Sequence, residues 1–192
     1  MIFLYILVGL IVLFIVLAIV APKKYEVNRN IGISCPTEEV FQYLKFLKNQ
    51  DNWSPWKKKD PNMKQEFIGE DGTIGFISRW EGNKEVGVGE QEIKAIFENQ
   101  RIDSELRFFK PWKSVCDAYF IVNKKEDYKT EVIWGLSGVN KIPNNIFMLF
   151  FNMDKAVGKD FEEVLKQNIG VLRDTEAIGL YYNLKVNLLI RI

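Results

Sequence analysis

The stretch Asn152 to Glu176, NMDKAVGKDFEEVLKQNIGVLRDTE, decides the fold of this 192-residue chain. Apolar residues recur in it at three- and four-residue spacings, while polar residues fill the opposite face, which predicts one long C-terminal helix. The apolar residues are Val157, Phe161, Val164, Leu165, Ile169 and Leu172. Because an amphipathic helix buries its apolar stripe, the preceding chain must supply a surface for it to cover.

Period-two alternation dominates the chain before this helix. It is clearest at Arg101 to Phe108, where Ile102, Ser104, Leu106 and Phe108 alternate with charged residues. Six strands are predicted, at Met63 to Gly69, Thr73 to Glu81, Glu85 to Glu98, Arg101 to Lys110, Lys113 to Lys124 and Tyr128 to Gly138. Short polar turns join them, as in a meander of hairpins. No helical pattern separates these strands, which disfavours a parallel sheet and a nucleotide-binding α/β fold.

Two further segments precede the meander. Lys24 to Ile33 alternates loosely and predicts a first strand, which brings the sheet to about seven strands. Val40, Phe41, Leu44 and Leu47 then follow at helical spacing behind an acidic first turn, and predict a short helix. Asn49 to Asp60 mixes turn residues with Trp53 and Trp56, and is expected to form a second helical turn that runs into a loop.

The N-terminus is uniformly apolar. Ile2 to Ala21 contains no charge, and sixteen of its twenty residues are Leu, Ile, Val or Phe. A helix of twenty residues is roughly 30 Å long, which matches the hydrocarbon thickness of a bilayer, so we expect a membrane span. Lysines follow this segment and none precedes it, so the positive-inside rule predicts a cytoplasmic domain. The alternative is a cleaved signal peptide. Two observations argue against it: no basic residue precedes the apolar run, and no clean A-x-A cleavage site ends it.

Composition excludes several classes of function. Lys and Arg number 26 and Asp and Glu number 25, so no strong overall field favours nucleic acid. The chain has no His, which excludes Ser-His-Asp and Cys-His nucleophile systems and His-ligated metal sites. Cys35 and Cys116 are too few for a disulfide framework or a structural zinc. We therefore expect no catalytic residue of these types, no metal site and no cofactor.

The order of several weak motifs carries a resemblance. They are a W-x-x-W turn at Trp53 and Trp56, Asp60-Pro61, Gly75, Trp80, Gly87-Val88-Gly89, Val132-Ile133-Trp134 and Gly158-x-Asp160-Phe161-Glu162. From Lys24 to Glu176 the chain resembles the START/Bet v 1-like (SRPBCC) superfamily, and in it the polyketide cyclase/dehydrase-like proteins with an N-terminal membrane anchor. The resemblance implies an α+β helix-grip fold, in which a curved antiparallel sheet wraps the long C-terminal helix around a hydrophobic cavity. Such cavities hold lipids, sterols or polyketides, and a minority of members catalyse cyclisation or dehydration.

Three regions follow from these patterns: a transmembrane anchor at 1–22, a helix-grip domain at 23–176 and an apolar tail at 177–192. Every even position from Ile178 to Ile192 is apolar, which is strand periodicity. A long unpaired strand promotes aggregation, so this tail should pair with a sheet edge, lie on the membrane, or result from a shifted reading frame. The sequence leaves these alternatives open.

Large inward-facing side chains are the candidates to line the cavity, since ligand pockets are mostly apolar. The predicted lining residues are Trp80, Leu106, Phe108, Phe120, Trp134 and Phe161. Core packing is the alternative for each ring taken singly. The segment Ile146 to Phe151, IFMLFF, is expected to cover the open end of the sheet as a gate, or to face the membrane.

These observations predict a membrane-anchored protein that binds a hydrophobic small molecule or lipid without turnover. One alternative is an enzyme of the cyclase or dehydratase type, which would need a buried carboxylate with a raised pKa. Its candidate carboxylates are Glu90, Glu92, Glu105 and Asp117, although most are expected to face solvent. A further alternative is a protein-interaction module whose groove takes a helix or strand of a partner.

Overall fold

The structure is a computed structural model that describes residues 1–152, 154, 155, 157 and 158. Its helices are α1 (Ile2–Val20), α2 (Thr37–Lys45) and α3 (Pro55–Lys59), with 3-10 helices at Leu47–Asn52 and Asn144–Leu149. Its strands are β1 (Lys24–Ile33), β2 (Lys64–Ile68), β3 (Ile77–Glu81), β4 (Val88–Phe97), β5 (Arg101–Lys110), β6 (Ser114–Glu126) and β7 (Lys129–Val139). The strands form one curved antiparallel sheet in the order β1-β7-β6-β5-β4-β3-β2.

The predicted meander is confirmed. Strands β2 to β6 each pair with the next strand along the chain, and β1 completes the order by pairing with β7 from Lys24↔Val139 to Ile33↔Thr130. The two short helical segments also form where the sequence predicts them, between β1 and β2. Consecutive pairing confirms the α+β class and the curved sheet of about seven strands.

Two predicted strands are shorter than their sequence patterns. Residues 73–76 form a turn instead of the start of β3, because Gly75 has a φ of +89° and donates its N–H to the carbonyl of Ile93. Strand β4 begins at Val88 because Gly87 has a φ of +74° and lies against the carbonyl of Lys110, where a side chain would collide. The ladder shifts register between Val88 and Gly89, so the glycines here accommodate an irregularity at the start of the strand.

The core lies between the concave face of the sheet and α2. Val40, Phe41 and Leu44 of α2 are buried against this face, with Leu47 and Trp53 from the following segment. The sheet contributes Ile93, Ile102, Phe120, Val122, Val132, Trp134 and Leu136. Because α2 covers only part of the concave face, the remainder of that face is available to other parts of the chain.

The start of the predicted C-terminal helix lies within the described residues. Residues 154, 155, 157 and 158 are helical, and the side-chain oxygen of Asn152 accepts a hydrogen bond from the Lys155 backbone N–H at 3.0 Å. This is the geometry of a helix N-cap, and it agrees with the predicted start at Asn152. The rest of that helix, and the tail at 177–192, lie outside the described residues.

Among the described residues, α1 is the one helix long and apolar enough to cross a membrane. Its side chains are exposed on all sides except near its C-terminal end, where Ala18 and Ala21 are buried. The contact at that end is made by the 3-10 helix Asn144–Leu149.

Candidate functional site

Strand register fixes which side chains share the concave face, called the inner face from here on. Ile102 pairs with Phe120, Phe120 with Trp134, and Trp134 with Arg29, so these residues point to the same side. Leu106 and Phe108 follow on β5, and Trp80 lies across from Gly89, which pairs with Phe108. Register therefore puts five of the six predicted lining residues on the inner face, while Phe161 lies outside the described residues.

Phe120 and Trp134 form the closed part of this face. They stack at 5.6 Å between ring centroids, and the indole of Trp53 meets both rings edge to face at 6.2 Å and 5.3 Å. Trp56 adds another edge-to-face contact with Trp134 at 6.1 Å. Because Phe120 and Trp134 are buried by these two tryptophans, the structure places them in a packed aromatic cluster.

Trp80, Leu106 and Phe108 form the open part. Each is only half-buried, although all three lie on the inner face. Trp80 meets Phe108 edge to face at 5.9 Å, and its ring crosses Gly89, where a Cβ would collide with it. These three side chains thus present apolar surface toward the concave side of the sheet.

Polar groups adjoin this open part. Gln65 pairs with Trp80 across β2 and β3, and therefore shares its face. Its carbonyl oxygen accepts from the Lys57 ammonium at 2.6 Å, and its amide donates to Asp51 at 2.8 Å. Pockets for apolar ligands commonly hold a few polar groups that fix orientation. Alternation along β2 could have revealed Gln65, whereas nothing in the sequence links it to Lys57 or Asp51.

A second polar pair lies nearer α1. Tyr25 and Cys116 interact on the inner face, and burial is the main cause that raises the pKa of each group to about 12. Both groups are therefore neutral across the physiological range. The ring of Tyr25 occupies the space beside Gly138 that a side chain would fill. A neutral pair of this kind suits an apolar guest better than a charged one.

The start of the C-terminal helix meets the same face. Arg29 donates a hydrogen bond to Asp154 at 2.8 Å, and Val157 packs against the core cluster. Gly158 lies so close to the Arg29 guanidinium that a Cβ there would collide with it. The helix thus begins over the β1 side of the inner face, opposite to the side where Trp80 lies.

The candidate carboxylates lie on the other face of the sheet. Glu90 accepts from Arg79 and Arg107 at 2.6 Å each, and Arg107 also bonds to Glu92 and Glu105. Burial alone would raise the pKa of Glu90, but the two arginines outweigh it and lower the pKa. Hydrogen bonds from Arg107 and Lys94 likewise lower the pKa of Glu92. These carboxylates form an ion-pair network on the outer face, as expected, although Glu90 is buried within it.

Asp117 alternates with the buried Cys116 and Ala118 on β6 and also faces outward. None of the four carboxylates therefore has the inward position that an acid–base catalyst in the cavity requires. Within the described part of the chain, no group of three or more His, Cys, Asp or Glu is arranged to hold a metal ion.

A groove of about 490 Å³ opens at the end of the sheet where β1 begins. One wall is formed by Lys24, Tyr25 and Val27, and the other by the segment from Met148 to Phe151. Tyr25 and Val27 belong to the inner face, whereas Lys24 and Glu26 belong to the outer face, so this groove lies along the edge of the sheet at β1. The predicted IFMLFF segment contributes its second wall.

Comparison with solved structures identifies the fold. The ginseng major latex-like protein 151 from Panax ginseng matches with a TM-score of 0.55 and 13% identity over 78% of this chain and 97% of its own. The Zhui aromatase/cyclase from Streptomyces sp. R1128 matches with a TM-score of 0.57 and 11% identity, over 79% of this chain and 95% of its own. Ara h 8.0201 matches with a TM-score of 0.51 and 12% identity, over 78% and 97%.

No protein-family model matches the sequence, and a comparison with curated proteins finds no match. The structural neighbours nevertheless share the fold along nearly their whole length. The chain therefore shares the helix-grip fold of these neighbours, which is the fold that the order of its motifs predicts.

Proposed function

We propose that this protein is a membrane-anchored binding protein that holds a hydrophobic small molecule or lipid against the inner face of its sheet. The observation that carries the proposal is the half-buried apolar surface of Trp80, Leu106 and Phe108 on the concave side of a helix-grip sheet. Desolvation supplies the binding energy, at about 25 cal/mol per Å² of apolar surface buried.

The polar groups beside this surface support a ligand with one polar end. The chain of hydrogen bonds from Lys57 through Gln65 to Asp51 adjoins Trp80 and provides both donors and acceptors. The rest of the inner face offers mainly apolar side chains and the neutral pair of Tyr25 and Cys116. An apolar molecule with a single polar headgroup fits both features.

The apolar helix α1 supports the anchoring role. Its surface is hydrophobic all round, and most of it is exposed outside the domain. A helix of that kind is stable in lipid and unstable in water. Lys23 and Lys24 directly follow it, and they favour a cytoplasmic domain by the positive-inside rule.

An enzymatic role is the second candidate, because one structural neighbour is an aromatase/cyclase. Three of the carboxylates that the sequence offered for it, Glu90, Glu92 and Glu105, are paired with arginines on the outer face, and Asp117 also faces outward. A binding role without turnover therefore agrees better with the described inner face.

The test compares two tryptophan substitutions in the purified full chain. Leu106→Trp adds volume to the open part of the inner face, whereas Val115→Trp adds the same ring at an exposed position on the outer face. Organic extraction and mass spectrometry should recover an apolar molecule from the wild type and from Val115→Trp, and much less from Leu106→Trp. Equal recovery from all three folded proteins would contradict the proposal, because lipid around α1 is common to them.

A further inference from the structure

The connection between α1 and the sheet is very short. Helix α1 ends at Val20 and β1 begins at Lys24, so three residues join them. Three residues span at most about 10 Å. If α1 crosses a bilayer, which is part of the proposed function, the end of the sheet where β1 begins must lie within that distance of the helix end.

Asn145 fixes this arrangement. Its side chain is fully buried, and its amide donates to the carbonyls of Ala18 at 2.8 Å and Ala21 at 3.0 Å. The last carbonyls of a helix lack partners within the helix, so Asn145 satisfies two of them from outside. The backbone N–H of Asn140 adds a bond to the Lys23 carbonyl at 2.7 Å. These contacts hold residues 140–145 at the end of α1.

The chain that continues from Asn145 exposes large apolar side chains. Phe150 is 81% exposed and Phe147 57%, and Phe147 stacks on Phe151 at 5.2 Å. Ile142, before Asn145, is 53% exposed. A water-soluble surface rarely gathers so many exposed apolar side chains in ten residues.

The β5–β6 turn belongs to the same end of the sheet. Val139 and Lys24 are paired, and β6 begins at Ser114 on the Val139 side of its ladder with β7. The turn before Ser114 carries Trp112, which is 78% exposed, and Phe109 near the end of β5 is also exposed. Tryptophan is enriched where proteins meet the interface between lipid and water.

Lysines lie close in sequence to these exposed apolar side chains. We define the anchor-side surface as residues 21–25, 109–113 and 139–152. It contains Lys23, Lys24, Lys110, Lys113 and Lys141, and no Asp or Glu. Each lysine near an anionic leaflet contributes about 1 kcal/mol of attraction. Exposed aromatic rings among lysines are a combination suited to the interface of an anionic bilayer.

We propose that the anchor-side surface rests in the headgroup region of the bilayer that α1 enters, with Trp112, Phe147 and Phe150 inserted and the lysines against anionic lipid. The groove beside Met148 to Phe151 then opens at the membrane surface, so a hydrophobic ligand passes between bilayer and inner face without crossing water. The bilayer is the partner that fits this surface best, because the short connection and the Asn145 contacts hold the surface beside the end of α1.

The experiment places an environment-sensitive fluorophore at single cysteines in the full chain, reconstituted in vesicles that contain phosphatidylserine. Cys35 and Cys116 are buried, and both are replaced by alanine to remove background labelling. The probe positions are Phe150→Cys and Trp112→Cys. The matched control is Tyr128→Cys, which is 75% exposed in the β6–β7 turn at the opposite end of the sheet.

The proposal expects blue-shifted emission at positions 150 and 112 that doxyl-labelled lipid quenches strongly, and water-like emission at position 128 that aqueous iodide quenches. Iodide quenching at all three positions, with the chain retained in carbonate-washed vesicles, would contradict insertion of the anchor-side surface but not membrane anchoring by α1. Blue-shifted emission without doxyl quenching would identify a protein partner, such as a second copy, and would also contradict insertion. Release of the chain by carbonate would contradict both the anchoring by α1 and the insertion.

Discussion

The side-chain amide of Asn145 lies 2.8 Å from the carbonyl oxygen of Ala18, and so connects two parts of the chain that are 127 residues apart. Ala18 belongs to the apolar helix α1, and Asn145 belongs to the 3-10 helix that borders the groove at β1. Because both groups are buried, this hydrogen bond holds the end of α1 against the segment that follows the sheet.

Replacing Asn145 with alanine should therefore loosen the attachment. Asn145→Ala leaves the carbonyls of Ala18 and Ala21 buried without that donor, which costs roughly 1–3 kcal/mol. Chemical unfolding in detergent, followed by circular dichroism, measures the loss. The neighbouring Asn144 is exposed, so Asn144→Ala should stay within about 0.5 kcal/mol of the wild type. Equal effects of the two substitutions would show that the amide contacts contribute nothing.

Trp53 tests what holds the aromatic cluster together. Its indole N–H is buried and has no hydrogen-bond partner among the described residues, so its contribution comes from its ring. We expect Trp53→Phe to cost less than about 1.5 kcal/mol, and Trp53→Ala about 3–5 kcal/mol. The measurement is the free energy of unfolding. A loss in Trp53→Phe as large as that in Trp53→Ala would show that the N–H is essential.

The outer-face ion pairs should support stability and leave ligand binding unchanged. Glu90 is 10% exposed and bonds to Arg79 and Arg107, so Glu90→Gln should cost about 1–3 kcal/mol. Glu66 bonds to Arg79 at 3.3 Å from an exposed position, and Glu66→Gln should cost less than about 1 kcal/mol. Both variants should retain the molecule that co-purifies with the wild type. Loss of that molecule from folded Glu90→Gln would show that Glu90 contributes to ligand binding.

Alkaline pH should destabilise the protein through Cys116. An unfolded thiol has a pKa of 9.0, and burial raises the pKa of Cys116 in the folded protein to about 12. Between these values the folded state binds more protons, so the free energy of unfolding falls as pH rises above 9, and it is unaffected by this group below 9. The slope from one such group is roughly 1 kcal/mol per pH unit.

Unfolding titrations between about pH 8 and about pH 11 check this expectation. Cys116→Ala should show a shallower decline than the wild type, whatever its stability at neutral pH. An identical slope in both proteins would mean that the thiol ionises in the folded state as it does in solvent.

The sheet was predictable because its signal is local. Alternation along segments such as Arg101 to Phe108 fixes which side chains share a face, and short polar turns force consecutive strands to pair. The errors occur at Gly75 and Gly87, whose positive φ angles end the pairing while the neighbouring residues continue the alternating pattern. Strand limits of this kind depend on backbone geometry that apolar periodicity does not report.

The candidate site was less predictable because it depends on what covers each residue. Phe120, Trp134 and Phe108 share one face and one apolar character, yet Trp53 and Trp56 bury the first two and leave Phe108 half-exposed. That difference comes from where the segment after α2 packs. Likewise, only the fold shows that Asn145 caps α1 or that Gln65 bonds to Lys57.

The most direct test of the binding role is to locate a photoreactive ligand on the chain. The full-length protein is reconstituted in vesicles that contain a fatty acid with a diazirine group near the end of its acyl chain, irradiated and digested for mass spectrometry. The account predicts crosslinks to Trp80, Leu106 or Phe108 on the inner face, which Leu106→Trp reduces and Val115→Trp does not. Crosslinks confined to α1 and to residues 142–151 would contradict it, because they would show lipid around the anchor and none on the inner face.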